Sequence, residues 1–408
     1  MAGPHLGRVD PATMIENRLQ PSGVTRIGAE TFVVDVRVDA PLVMDPDLRI
    51  ELRGAGGGAI GQGRLRDQSH VGWLPRGQYR AAVSIPGIAA DAATEAAVTT
   101  GWRARGRDTW PADAVRLPVQ ACADVASAIG VGVTAQAGTS SVDALSWRAS
   151  AGDWFHRHFD HAARTTASYL LKDHPLLQGR ILDVGCGDGI TDLGLALYCE
   201  PELLVGIDPF GGFSRLAEVA ERNHIPRDAI PECLKFMQED ANALPFADDS
   251  FDVVVSWGSL EHIAGGHGKA MREIKRVLRD GGLFFAHPGL YYSAYGHHLG
   301  EFCADPHFHL KYPQDEVKRI VFETPPSRID RSGHVATPAE YWQWYQELNP
   351  ITVDSFEREL RELGFEPWRV AIRTEPIIEY TPAILHHPMQ TLATGELYVS
   401  AWNRKPRA

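Results

Sequence analysis

Ile181-Leu182-Asp183-Val184-Gly185-Cys186-Gly187-Asp188-Gly189 reads as an apolar strand running into a glycine-rich turn, and Ile190, Leu193 and Leu197 then mark one face of a helix. Glycine lets a backbone turn sharply and approach a ligand that a Cβ would exclude. A lone GxGxG says little, because tight turns need glycine anyway. Its surroundings are more selective. Leu203 to Ile207 is a second strand closed by Asp208, where an acid can accept from both hydroxyls of a ribose. Leu234-Lys235-Phe236-Met237 is a third, followed by Asp240-Ala241, and Phe251 to Ser256 is a fourth. Helical positions Leu216, Val219 and Ala220 separate the second and third strands. Met271, Ile274 and Val277 mark a helix expected to end at Gly281-Gly282, before a fifth strand, Leu283 to Ala286. Unbroken apolar strands alternating with helices predict an α/β fold, a parallel sheet covered on both faces, with a ligand crevice at the strands' carboxyl ends.

Beyond this core, Thr337-Pro338-Ala339-Glu340 has capping-box spacing, and Asp354 or Ser355 is expected to cap a helix carrying Phe356, Leu360 and Leu363 that Gly364 ends. Trp368 to Ile372 and Leu397 to Trp402 read as the last two strands. Upstream, the pattern changes to a period of two. Phe32, Val34, Val36 and Val38 alternate with Val33, Asp35 and Arg37, and Leu48 to Arg53 alternates likewise before a run of glycines. Tyr79 to Ile85 and Ala97 to Trp102 continue the series, which predicts an antiparallel, sandwich-like β domain. The expected organisation is a tail over 1–25, the β domain over 26–122, a linker over 123–145 and the α/β domain over 146–408, with an acceptor-pocket insertion over 288–352.

The chain has 408 residues, 44% hydrophobic and 23% charged, enough for two globular domains. A net charge of -12 without a Lys/Arg run argues against a nucleic-acid partner. Five scattered cysteines without CxxC spacing fit a reducing cytoplasm, and no apolar stretch reads as a signal peptide or a membrane span. The expected location is cytoplasmic; nothing in the sequence sets an oligomeric state.

The combined motifs over roughly residues 150–290 resemble the class I S-adenosylmethionine-dependent methyltransferases of the small-molecule type. The resemblance implies a Rossmann-like seven-stranded domain with S-adenosylmethionine as cofactor. In that family the acid before the glycines, here Asp183, holds the methionine ammonium, and Gly185 and Gly187 lie against the cofactor. Asp208 binds the ribose, Asp240 the adenine amino group with the Ala241 amide beside it, and Ser256 lies beneath the cofactor. Cys186 and Pro209 complete the expected binding set. A nicotinamide enzyme, the rival reading of a glycine turn with Asp208, would have GxGxxG, and position 190 is Ile.

Methyl transfer to a hydroxyl needs a base, which histidine or a carboxylate supplies. Glu261-His262 follows the fourth strand, where ubiquinone-type O-methyltransferases bind a divalent metal through ExxEH. Gly258 stands at the first position of that pattern, so no metal is expected, and the pair reads as either chemical or helix-terminal. After the fifth strand comes a Tyr/His-rich loop, Tyr291-Tyr292-Ser293-Ala294-Tyr295-Gly296-His297-His298, with Asp305, His307 and His309 beyond it. His297 or His298 is the expected general base. A metal set of His298, Glu301, Asp305, His307 and His309 has no recognised spacing. Trp154 to His161 reads as a covering helix with its histidines on a solvated or lid face, and Tyr341 to Tyr345 as aromatic core.

The expected reaction is O-methylation of a polar small molecule or a glycan, as in polysaccharide biosynthesis. The glycan part rests on a resemblance of the β domain to carbohydrate-recognising sandwiches, carried by strand pattern and turn sequences such as Gly77-Gln78-Tyr79-Arg80. The alternatives are an N- or C-methyltransferase of a secondary metabolite, which needs no strong base, and a binding protein without turnover.

Overall fold

The computed structural model describes residues 18–27, 30–68, 72–89, 92–111, 113–121, 133–135, 154–326, 336–375 and 377–405. The chain divides into two compact units, residues 1–150 with 220–229, and residues 151–219 with 230–408.

The first unit is built on strands β1 (Leu19–Ile27), β2 (Thr31–Arg53), β3 (Ala59–Arg64), β4 (Trp73–Ser84), β5 (Glu95–Ala104), β6 (Arg107–Thr109), β7 (Val115–Ala121) and β8 (Val133–Ala135). The two alternating runs expected as separate strands are one strand of 23 residues. Register shifts between Val38 and Leu42 and between Met44 and Asp47 break β2's pairing in the middle. Its first half pairs with β1 and β4, its second with β5 and β3. Bulges of this kind bend a strand without ending it. Phe32, Val34, Ile50 and Leu52 from both halves then meet Tyr79, Val83, Val98 and Trp102 in one buried cluster. The pairing is antiparallel throughout except for β1 with β7, which is parallel. β1 begins inside the stretch expected as a tail, and β8 inside the expected linker, most of which lies outside the described residues. Gly77 to Arg80 is no turn; it lies within β4.

The second unit contains a seven-stranded sheet of β9 (Arg180–Val184), β10 (Leu203–Ile207), β11 (Leu234–Met237), β12 (Phe251–Trp257), β13 (Leu278–His287), β14 (Phe365–Thr374) and β15 (Thr394–Asn403), in the order β11-β10-β9-β12-β13-β15-β14. The first five strands are parallel; β15 runs antiparallel between β13 and β14. The order therefore reverses at β9, which puts the ligand crevice at the carboxyl ends of β9 and β12. This is the Rossmann-like arrangement of class I methyltransferases.

Helices α1 (Trp154–His156), which continues as π turns, α2 (Ile190–Cys199) and α4 (Gly268–Val277) belong to this unit, and α3 (Leu216–Arg222) begins in it, its residues from 220 on counting with the first. So do α5 (Phe308–Lys311), α6 (Gln314–Glu323), α7 (Pro338–Gln346), α8 (Val353–Glu362) and α9 (Met389–Ala393). Apolar residues of β9, β12, β13 and β15 pack with Met271 and Ile274 of α4 and Phe356 and Leu360 of α8 in its main core. The insertion carries a smaller core of its own, where Leu299, Phe302 and Phe308 meet Val317, Val321, Tyr341 and Tyr345. Its residues 327–335 lie outside the described part.

Local signals held in part. Thr337 and Glu340 form the expected capping box of α7. The cap of α8 is Thr352, bonded reciprocally with Ser355, rather than Asp354 or Ser355. α4 ends at Val277, ahead of Gly281-Gly282, because Leu278 already pairs with Phe251 in the sheet. Among the described residues no helix is long and apolar enough to cross a membrane.

Candidate active site

A cleft of ≈ 2230 Å³ opens at the carboxyl ends of the parallel strands, lined by the glycine turn, the strand-end acids and the insertion. A pocket for one drug-sized ligand holds roughly 300–1,000 Å³, so this cleft has room for a cofactor and an acceptor together.

In the donor half, β9 delivers Asp183 and the turn that follows it. Gly185 and Gly187 adopt φ values of +83° and +56°, which only glycine takes without strain. Nothing lies within 4 Å of where a Cβ on Gly187 would stand, so the backbone there is bare toward open space. Asp208, at the end of β10, accepts from the Gly187 amide (3.1 Å) and the Phe210 amide (2.8 Å), which fixes its carboxylate beside the turn. Asp240, exposed at the end of β11, accepts from the Asn242 amide (2.8 Å). Cys186, Pro209 and Ala241 line the same space.

Asp183 is 2% exposed, and its Oδ1 is buried without a hydrogen-bond partner. Beside it lies Asp192 of α2, fully buried. Two carboxylates buried together cannot both stay charged cheaply, so a proton held between them supplies the donor each lacks. Burial pushes Asp183 up to about 6, opposed by the neighbouring Asp192 carboxyl, and Asp192 itself is pushed well above the usual range by burial and the Asp183 charge. Asp192 was not expected. A polar residue in the first turn of an otherwise buried helix was its only sequence signal.

The elements fit S-adenosylmethionine: a buried, underbonded carboxyl for an ammonium, a fixed carboxylate for a diol, and bare glycine backbone. Ser256 does not touch this space. Its buried hydroxyl donates to the Val184 carbonyl (2.9 Å), tying β12 to β9 beneath the turn. Ser259, which donates to the Gly185 carbonyl (2.7 Å), holds the turn from the cleft side. Trp154 closes over it, its indole N–H donating to Asp188 (3.1 Å), and His158 bonds Thr191 (3.2 Å).

In the acceptor half, the Glu261 carboxylate is 2% exposed. Its Oε1 lies 3.9 Å from Nε2 of His262 and 3.8 Å from Nε2 of His298. The chain thus brings together three of the four expected catalytic residues. His297 turns the other way and is corrected. It is fully buried, one ring nitrogen accepts from the Leu299 amide (2.9 Å), and the other bonds the Ala294 carbonyl (3.2 Å). Burial lowers it to about 4, and neither nitrogen is left for a substrate. The metal set read along the insertion does not assemble either. His307 bonds the Leu392 carbonyl, His309 the Tyr291 carbonyl, and Asp305 pairs with Lys311.

A further wall comes from the last two strands and was missed in the sequence. Tyr398 stacks on His287 (4.2 Å between centroids) beside Trp257, and its hydroxyl donates to Glu396, which also pairs with Arg373. Tyr341, Trp344 and Tyr345 reach the cleft from α7 while also packing the insertion's core.

Residues 182–286 match a family model described as a methyltransferase domain. The chain is 34% identical over 105 residues to the uncharacterized methyltransferase YcgJ of Bacillus subtilis, covering 26% of this chain and 38% of that protein. It is 32% identical over 127 residues to the uncharacterized methyltransferase C1B3.06c of Schizosaccharomyces pombe (31% and 45%). Against the sterol 4-C-methyltransferase strm-1 of Caenorhabditis elegans it is 31% identical over 147 residues (34% and 41%). The chain thus matches less than half the length of these curated relatives. The solved structure of the YcgJ protein is similar at 17% identity and a TM-score of 0.35, over 60% of this chain and 99% of that one, too loose a likeness to add to the topology described above. The matched segment spans β9 to β13, with the acids of neighbouring strands around the glycine turn, so the α/β unit of this chain carries a methyltransferase domain similar to those of the class I S-adenosylmethionine-dependent family.

Proposed function

We propose that this chain transfers a methyl group from S-adenosylmethionine to a hydroxyl of a polar small molecule or glycan, in the cytoplasm. The observation that carries the donor is Asp208, locked by two backbone amides at the end of β10 with Asp183 and Asp240 at the neighbouring strand ends. When bound, S-adenosylmethionine supplies an activated methyl group on a sulfonium. Asp208 would hold its ribose, Asp183 its ammonium, and Asp240 with the Ala241 amide its adenine.

A hydroxyl acceptor is favoured by the Glu261, His262 and His298 cluster, since a carboxylate and two imidazoles at one point of the cleft can orient a hydroxyl and draw off its proton. Tyr341, Trp344 and Tyr398 offer flat faces and hydroxyls, which suit a sugar or a phenol. The varied curated relatives, a sterol 4-C-methyltransferase among them, leave the acceptor to this geometry.

A cofactor-consumption screen across sugar nucleotides, glycans and phenols, with calorimetry of S-adenosylmethionine binding, tests the proposal. Consumption with a hydroxyl acceptor is the expected result. No cofactor binding near millimolar concentration would overturn it.

A further inference from the structure

The strongest feature outside the donor half is the meeting of Glu261, His262 and His298. Glu261 and His262 sit on the short turn Leu260–His262 after β12, and His298 comes from the loop after β13. One donor atom from each lies within 4.8 Å of the others, and the two imidazole rings meet edge to face at 4.6 Å.

Three observations set this apart from a chance contact. Glu261 is almost fully buried, and its Oε2 has no hydrogen-bond partner among the described residues. An ionised carboxylate taken from water with a bond unmade is costly unless a cation answers it. The turn beneath it is pinned from behind. The Asn349 amide donates to the Glu261 carbonyl (2.8 Å), and its side chain donates to the carbonyls of Leu260 (2.9 Å) and Ile263 (3.0 Å). Gly289 leaves space for the carboxyl group, which a Cβ there would strike. Finally, His298 holds φ +54°, a left-handed backbone uncommon outside glycine though one that histidine can take, and its ring stands at Glu261 in that conformation.

We propose that Glu261, His262 and His298 form a three-ligand site for a divalent transition-metal ion, Zn²⁺ by its donor set, whose remaining positions face the cleft and take an acceptor with two neighbouring oxygens. Two imidazoles and one carboxylate suit Zn²⁺ and its first-row neighbours, whereas Mg²⁺ and Ca²⁺ are held by oxygen. Bonds of about 2.1 Å put tetrahedral donors about 3.4 Å apart, so the separations of 3.8 and 3.9 Å need to close only slightly. Three protein ligands leave coordination open, as in catalytic rather than structural sites. The site itself stands on geometry alone. Its role rests on the methyl-transfer reading, in which the ion rather than a free imidazole would make the acceptor hydroxyl more acidic.

The test strips the full-length protein with chelator, then titrates Zn²⁺ by calorimetry and Co²⁺ by its visible absorption. One ion per chain is expected. His298→Asn, which tolerates the left-handed backbone, and Glu261→Gln should each weaken binding about 100-fold or more, while His298→Asp, which keeps a ligand, should stay within about tenfold of wild type. Catechol should shift the Co²⁺ spectrum and phenol should not. Absence of a Co²⁺ band at millimolar ion, or unchanged binding in His298→Asn with circular dichroism like wild type, would overturn the site. An indifferent catechol response would overturn the acceptor class. S-adenosylmethionine binding is measured on the same samples. Metal bound without cofactor binding supports the site and sinks the methyl-transfer reading; cofactor bound without metal does the reverse.

Discussion

The two halves of the cleft are made differently. The donor half is built around strand ends: Asp183 lies near the end of β9, Asp208 directly follows β10 and Asp240 stands three residues past β11, and parallel pairing of these strands brings their ends side by side. The acceptor half is built from loops and from strands distant in the chain, where Glu261 meets His298 and Tyr398 meets His287. Sheet register makes the first half nearly obligatory once the strands form. The second depends on how one insertion with its own small core packs. A rigid donor site with a variable acceptor wall suits a fold that serves many acceptors with one donor.

The sharpest way to break this division is to remove Asp208. Two hydrogen bonds to a charged acceptor, at about 1.5–3 kcal/mol each, are at stake. Asp208→Ala should therefore weaken S-adenosylmethionine by 100-fold or more in calorimetry, and a change under tenfold would remove Asp208 from the donor site. On the other side, Glu261→Gln should slow turnover by about 100-fold while leaving cofactor affinity within twofold. A parallel loss of affinity would mean that the halves are not separate.

A third test uses pH. Asp183 is raised from an ordinary 3.8 to about 6, so the folded protein holds a proton that the unfolded chain has released across that window. Without cofactor, stability should therefore fall as pH rises from about 4 to 6 and level off above. Cofactor affinity should run the opposite way, since the ammonium needs the charged carboxylate. It should rise by up to about tenfold per pH unit toward 6 and then plateau, one proton being released per cofactor bound. Asp183→Asn should flatten this profile. The smallest expected effect is structural: Thr337→Ala breaks the α7 capping box, costing about 1 kcal/mol. It should lower the thermal midpoint slightly and leave cofactor affinity unchanged.

Much of the donor half was legible because its determinants are local. A strand of apolar residues, a glycine turn and an acid at the strand end are neighbours in sequence as well as in space. Ser256 and Asp192 show the limit of that reading. Ser256 lies at the right strand end, but its hydroxyl is spent inward on Val184. Asp192 sat on a helix read only for its apolar face, yet α2 is buried nearly all round. The β domain shows the same limit. Alternation identified its buried residues, but Leu48 to Arg53 looked like a new strand because the bulges between Val38 and Asp47 have no periodic signature.

The sequence by itself therefore determined the class of sheet, its order of strands and helices along the chain, and the acids around the glycine turn, since periodicity and strand ends are properties of neighbouring residues. Only the tertiary structure decided which of two adjacent histidines serves the cleft. On a left-handed backbone, the His298 imidazole stands at Glu261, while His297 is bonded into the loop interior. His298 comes to Glu261 and His262 from beyond the next strand. Such a contact is fixed by how the loop packs, which no local spacing encodes.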